Sequence, residues 1–326
     1  MKLATRLLVL ILAAACPLAA QQLPYQTQFR QLYAYINPAA INSDYFLYEY
    51  NMSVNSSYRL QWSAQPQTPR TLHVAAEYVY NAAAYGNTFN LAGGAALLQD
   101  RVGPLALTGV YARLAALLGS DPYLGAFSLG FLAGAVQYRL QHNRIVWETL
   151  DDPHIPLEDV STTQPEIGIG AYYFKRVRRS ALRGDNFYVG LSVPQLWAAN
   201  VEILSLGNRI PFSRIPHLYT TAGWYHFFNT ESFLELALWG KYAAGARPNL
   251  HLTGRFSPVR TVWVGGGFNL NGLVHLEAGF NLPGFLWEQG ALKIGYAFDY
   301  NITAFDLPLG ASHEIHLSYL FDTRGR

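Results

Sequence analysis

The sequence predicts an all-β protein, a transmembrane antiparallel β-barrel of about 14 strands. Three observations carry this. Charged residues are 13% of the chain and aromatics 14%, with 22 Tyr and 28 Gly, whereas ordinary globular proteins carry about 25% charge. Past the N-terminus, no uninterrupted apolar stretch approaches the roughly 20 residues that a membrane-spanning helix needs. Apolar residues instead alternate with polar ones in stretch after stretch, which is how barrel strands carry their membrane signal. The net charge of +2 is too small to point to nucleic acid or a strongly charged partner.

The first 20 residues have the layout of a secretory signal peptide. Lys2 and Arg6 form a positive start, an apolar stretch runs from Leu7 to Ala15, and small Ala19 and Ala20 precede Gln21 and Gln22. Cleavage is expected after Ala20. Cys16 follows three alanines, a faint likeness to a lipoprotein processing site. If it leaves with the signal peptide, the mature chain has no thiol chemistry. Residues 21–43 form an N-terminal segment, periplasmic or plug-like, and 44–326 the barrel, whose strands run from about Asp44 to Phe321.

The alternation is clearest from Phe46 to Trp62. Even positions read Phe46, Tyr48, Tyr50, Met52, Val54, Ser56, Tyr58, Leu60 and Trp62; odd positions read Leu47, Glu49, Asn51, Ser53, Asn55, Ser57, Arg59 and Gln61. Side chains alternate across a strand, so one face is apolar and the other polar. Further apolar faces run through Leu72–Tyr80 (with His73 and Glu77 opposite), Phe89–Leu97, Leu105–Tyr111, Gly125–Leu140, Ile167–Tyr173 and Phe187–Val193. A switch of face near Phe131 suggests a bulge. Seven more candidates follow: Leu218–Phe227, Phe233–Tyr242, Leu250–Phe256, Val262–Leu270, Leu273–Phe280, Leu292–Tyr300 and Ile315–Phe321. The aromatic-rich last strand is expected to meet the first.

Asn229-Thr-Glu, Arg247-Pro-Asn249 and Leu270-Asn-Gly272 read as short connections. Two segments are longer, His142–Pro165 and Trp197–His217. Long loops of such barrels lie outside the cell and short turns in the periplasm.

Chemistry-bearing motifs are weak. Gly265-Gly266-Gly267 lies in a strand with no helix to follow, so it reads as a packing feature and not a nucleotide loop. His313 and His316 are three apart, so a regular strand points them to opposite faces and they cannot share a metal. Asp151-Asp152 and Glu158-Asp159 lack the spacing of a calcium loop and read as a solvated acidic loop. The run Lys175-Arg176-Val-Arg178-Arg179, with Arg183, could meet lipopolysaccharide phosphates or an acidic partner, or simply be solvated. Ser192 and Ser213 have no base in a readable motif. No enzyme activity, cofactor or metal is expected. Arg59, Glu49, Gln61, His73 and Glu77 on polar faces suggest ion pairing inside the lumen rather than substrate binding.

A set of ordered motifs covers nearly the whole mature chain. Gln22-Leu-Pro-Tyr25 leads into Ile36-Asn37-Pro38-Ala39-Ala40. Then come Tyr58-Arg59-Leu-Gln61-Trp62, Pro69-Arg70-Thr71 and Leu97-Leu98-Gln-Asp100-Arg101-Val-Gly103-Pro104. Gly295-Tyr296-Ala-Phe-Asp299-Tyr300 and Ser312-His313-Glu314-Ile315 stand near the end. Together these resemble the PorP/SprF family of the type IX secretion system. The family's usual continuation after Asn-Pro-Ala is replaced by Ala40-Ile41-Asn42-Ser43, and Phe298 stands where Tyr is common.

The resemblance implies an exported outer-membrane barrel of the secretion or gliding machinery. Its implied partners are a secreted protein with a type IX C-terminal sorting domain, or periplasmic secretion-ring components, beside outer-membrane lipid and lipopolysaccharide. Proline before the first strand cannot donate to a ladder, which suits a segment folded into the barrel mouth or lying in the periplasm. The competing expectation is a channel or transporter for small hydrophobic or polar solutes, which barrel composition does not separate from the first.

Overall fold

Lipid offers a backbone no hydrogen-bond partner, so strands that cross it must close on themselves. The computed structural model describes residues 26–48, 50–65, 67–80, 89–121, 125–145, 158–177, 184–196, 199–205, 208–286, 288–302 and 309–323. Its strands are β1 (Met52–Leu60), β2 (Arg70–Tyr80), β3 (Phe89–Val102), β4 (Leu105–Asp121), β5 (Gly125–Leu140), β6 (Val160–Arg176), β7 (Asn186–Val193), β8 (Ala199–Ser205) and β9 (Asn208–Arg214). They continue as β10 (His217–Phe227), β11 (Phe233–Ala243), β12 (Asn249–Val259), β13 (Val262–Asn269), β14 (Leu273–Pro283), β15 (Gly290–Asn301) and β16 (Ser312–Phe321). Fourteen form one closed antiparallel ring, and β8 and β9 form a separate hairpin. The last strand closes on the first in register, from Met52 opposite Phe321 to Leu60 opposite His313.

The faces follow the alternation. On β1, Val54 and Tyr58 point out, while Ser53, Asn55, Ser57 and Arg59 are buried inside. His73 and Glu77 on β2 likewise point in.

Several expectations change. The predicted first strand began at Phe46, yet Ser43–Tyr48 is helical. That stretch has no partner strand, and a helix satisfies its backbone internally. On β4, Tyr111 points inward, while Val110 and Leu114 face out, so the apolar face of Leu105–Tyr111 is not the lipid face. Both faces of this strand are apolar, because Leu107 and Tyr111 pack inside against Tyr35, Leu132 and Tyr138. The same inner cluster explains Phe131. Phe127, Leu129 and Phe131 point out and Leu132, Val136 and Tyr138 in, with no bulge there. The irregularity of β4–β5 lies between Leu118 and Asp121.

The loop predicted to reach Pro165 ends earlier, since β6 starts at Val160. Pro165 is tolerated because of which way its backbone faces. The Leu196 N–H donates to Ile167 O at 2.8 Å, so residue 167 turns its polar groups away from β5. Residue 165, two positions back, turns the same way. Its missing N–H therefore falls on an edge that β7 does not reach.

The other predicted loop, Trp197–His217, holds the hairpin β8–β9. Both long connections, 141–159 and 194–216, leave the ring at the same end, while β1 starts and β16 finishes at the other. This is the loop-rich end.

The lipid face is testable. Val54→Lys, in mid-strand, should cost roughly 2–4 kcal/mol if it lies near the bilayer midplane, read by urea unfolding in lipid vesicles. Tyr50, which precedes β1, should be less sensitive. Equal stability of Val54→Lys and wild type, with loss in Ser53→Lys, would mean that the facing is inverted.

Candidate functional site

The lumen is occupied by the chain's own N-terminal segment. Residues 26–42, and Tyr45 and Leu47 of the helix, are buried. The segment makes two short turns of helix, Phe29–Leu32 and Tyr33–Ile36, which reduce the backbone groups left without partners. Its direction is fixed by its ends. Thr27 and Gln28 bond groups within two residues of the loop-rich ends of β1, β15 and β16, whereas the Asn42 amide donates to Ser53 Oγ at 3.2 Å, at the start of β1. The segment therefore descends the lumen opposite to β1.

At its upper end sits a charge cluster drawn from three adjacent strands. Arg59, Asp299 and Glu314 are 0–1% exposed. Arg59 Nη1 pairs with Asp299 and, at 3.4 Å, with Glu314 Oε2. Thr27 fits between them: Arg59 Nη1 donates to its Oγ1 at 2.6 Å, and its own hydroxyl donates to Asp299 Oδ1 at 2.6 Å. Both oxygens of Glu314 accept backbone N–H groups, from Thr27 at 2.7 Å and Gln28 at 3.0 Å. A carboxylate away from water needs this number of donors. Gly295 makes room for the segment, since a Cβ there would lie 2.6 Å from Gln28 Oε1 and 3.0 Å from Trp263.

Halfway down, Arg30 joins a second network. It pairs with Glu277, and at 3.5 Å with Glu235. Glu235 also takes Arg255 at 2.7 Å and the Tyr225 hydroxyl at 2.6 Å. Around it the lumen is aromatic rather than polar: Phe29 and Tyr33 pack among Tyr188, Tyr219, Phe233 and Trp239, and the hydroxyls of Tyr33 and Tyr188 meet at 2.6 Å.

Lower still, Asn37 is fully buried. Its amide donates to Ala171 O at 3.1 Å and its Oδ1 accepts from Ala39 N–H at 3.0 Å. A Cβ on Gly190 would lie 2.6 Å from that amide. Arg113 donates to Pro38 O at 3.1 Å and Ala40 O at 2.5 Å, and faces Glu77 at 3.5 Å. Ser192 donates to Ile36 O at 2.7 Å.

The motif residues thus divide. Asn37, Pro38, Arg59, Gly295, Asp299 and Glu314 meet around the plug. Tyr58 and Tyr296 point outward, the latter with its hydroxyl 2.7 Å from His313 Nδ1. Gln61, Trp62, Asp100 and Gly103 lie at the loop-rich rim. The Gln61 N–H donates to Pro69 O at 2.9 Å, and Trp62 N–H to Ser312 Oγ at 3.3 Å. Asp100 accepts from Thr71 at 2.7 Å, and Gly103 supplies φ +58 in the tight β3–β4 turn. Sequence reasoning missed Thr27, Gln28, Arg30, Glu235, Arg255 and Glu277. Strand parity alone would place the last three inside.

Other candidates resolve differently. His313 faces out and His316 in. Asp159 accepts from His142 N–H at 2.9 Å and pairs with Arg139 at 2.7 Å, which holds its carboxyl below the usual range. Asp151 and Asp152, Glu49 and the signal-peptide residues lie outside the described residues, as do Arg178, Arg179 and Arg183. Among the described residues no cluster of three His, Cys, Asp or Glu could hold a metal.

A closed antiparallel ring with apolar residues outside and ion-paired residues within is an outer-membrane β-barrel, here filled by its own N-terminal segment. The chain belongs to the PorP/SprF family: the family model described as type IX secretion system membrane protein PorP/SprF matches residues 18–319. Its partners accordingly lie in the secretion machinery. No curated protein matches it by sequence. Among solved structures it is similar to the TodX deltaS2S3 mutant monoaromatic hydrocarbon channel, at TM-score 0.51 and 9% identity, with 89% of this chain and 94% of that chain covered. It is also similar to the CymD monoaromatic hydrocarbon channel, at 0.50 and 11%, with 88% and 94% covered. A FadL homologue of Pseudomonas aeruginosa follows at 0.48 and 10%, with 89% and 93% covered. At such identity the likeness shows the fold alone.

Arg59→Ala should cost about 3–5 kcal/mol, because it leaves two buried carboxylates without their cation. Urea unfolding in vesicles checks this, and an unchanged midpoint would show that water reaches the cluster.

Proposed function

We propose that this protein is a non-catalytic receptor of type IX secretion, exported with a cleaved signal peptide covering residues 1–20. It holds a secreted protein, by its C-terminal sorting domain, at the loop-rich mouth, or contacts periplasmic secretion-ring components at the other end. The observation that carries this is the occupied lumen. A barrel whose interior is taken up by ion-paired groups of its own chain offers its rims, rather than its bore, to partners.

Loop length orients the molecule, since the long connections of such barrels lie outside the cell. Lys175 and Arg176 then fall at the periplasmic end. That suits an acidic partner there better than lipopolysaccharide. Crosslinked pull-down of the tagged protein from native outer membranes, read by mass spectrometry, tests the reading. The expected catch is a secreted protein with a sorting domain, or secretion-ring components. Recovery of the barrel alone, with those proteins present in the membrane, counts against it.

The second reading is a solute channel, which the names of the two similar structures favour. An apolar cavity of about 660 Å³, bordered by Phe187, Trp224, Leu236, Gly254 and Phe268, could take such a solute. The side chains of Phe187, Trp224, Leu236 and Phe268 point away from the lumen, however, so the cavity opens on the outer wall. In planar bilayers the full chain should show no long-lived conductance steps, and deletion of residues 26–42 should produce them. Steps of equal size from both would favour the channel.

A further inference from the structure

Strands β2 to β5 lie side by side, and a ladder of residues crosses their outer face at the loop-rich end. Arg70 stands opposite Arg101, Arg101 opposite Ala106, and Ala106 opposite Arg139. Alternation turns all four outward. Their neighbours Thr71 and Asp100 point the other way and bond each other at 2.7 Å. Two arginines thus face each other directly across a strand pair, and a third stands two strands further on.

We propose that this arginine row, with the wall beneath it, binds a phosphorylated glycolipid of the outer leaflet. Arg70 and Arg101 hold a phosphate, and the acyl chains lie on β2–β5. The site is independent of which protein the rims hold. Three observations carry it.

The first is unbalanced charge. Like charges directly opposite in a sheet destabilise it, so an anion that joins them stabilises the wall. Among the described residues, the one carboxylate that meets this row is Asp159, which pairs with Arg139 at 2.7 Å. Asp100 is turned inward, to Thr71. Arg70 and Arg101 are therefore left to an outside anion. Each guanidinium can offer a phosphate two N–H donors.

The second is depth. Loop length puts this end outside the cell, so the row lies at the headgroups of the outer leaflet. At the corresponding ends of β10, β11 and β15 the outer face carries Leu218, Tyr242 and Tyr300 instead. The cationic level is confined to one side of the barrel, which suits a discrete ligand better than general attraction to the membrane.

The third is the order of residues below the arginines. One step down the outer face come Gln99, Thr108 and Gln137, in register. Six residues below the arginine level, Ala76, Ala95, Ala112 and Ala133 stand opposite one another in a single row, all exposed. Larger Leu114 and Phe131 bound that row from beneath. The wall passes from cation to neutral hydrogen-bonding group to shallow apolar trough over about 20 Å of strand, at roughly 3.3 Å per residue. A glycolipid presents phosphate, sugar and ester, and acyl chain in the same order. The trough alone names no occupant; the arginines above it do.

The probe is lipid A carrying both phosphates, titrated against the full chain in non-ionic detergent. Saturable binding is expected. Removing the phosphates from the lipid, or combining Arg70→Gln with Arg101→Gln in the protein, should each weaken it at least tenfold. Arg247→Gln, at the same end in the β11–β12 turn, should bind as wild type. Ala112→Phe, which fills the trough, should also weaken binding. Heat-modifiable migration reports whether each variant folds. If the folded double variant binds like wild type, or if dephosphorylated lipid A binds equally well, the site is overturned. Equal affinity for phosphatidylglycerol or for inorganic phosphate also overturns it, since the wall would then select no glycolipid. Should the double variant not fold, the comparison of phosphorylated with dephosphorylated lipid decides alone.

Discussion

The bilayer's inability to hydrogen-bond a peptide group governs everything else in this molecule. It forces the strands into a ring, and the ring forces β16 to return to β1 across the length of the chain. Once closed, each strand has one face in lipid and one in the lumen, and side-chain alternation sorts the residues between them. The same constraint acts inside, where residues 26–42 are packed away from bulk water. They answer with helical turns, and with side chains such as Asn37 that bond to the wall's backbone.

The lumen shows how charge is kept where water is scarce. Arg59, Asp299 and Glu314 come from β1, β15 and β16, the strands at the closing seam, and the plug's Thr27 and Gln28 complete their bonding. Arg30 does the same for Glu277 and Glu235. A buried ion pair is weak evidence for stability, but removing one partner is costly. The plug and the wall therefore depend on each other. The groups that would line an open channel are engaged in holding a segment of the chain, and what remains for recognition is the rims.

Much of this was legible in the sequence, for a simple reason. Period-two alternation records the lipid face directly, so Val54 against Ser53 could be assigned from residues alone, and fourteen strands emerged. Legibility failed wherever both faces were apolar. Tyr111 and Leu132 gave misleading faces because an inner cluster around Tyr35 is as apolar as lipid. The helix Ser43–Tyr48 carries aromatics that suit either period. The hairpin β8–β9 was hidden by Pro211, which reads against a strand. At the site, Arg59 and Asp299 could be placed inside by parity. That Thr27 would lie between them could not, since the contact joins residues 272 positions apart.

The direction of the plug bears on how the molecule can be assembled. It runs down the lumen and the chain then turns back up through β1, so plug and first strand form a reversal joined near Asn42 and Ser53. A reversal can lie on the inner face of an open, curved sheet. It never requires a free end to be drawn through a finished ring, which keeps the chain unknotted. Closure of the ring brings β16 to β1, and with it the bonds from Thr27 and Arg59 to Glu314. A contact spanning nearly the whole chain is intrinsically slow to form. Until it does, the edges of β1 and β16 are both unpaired, and the newly exported protein is itself a substrate for whatever holds strand edges apart in the periplasm.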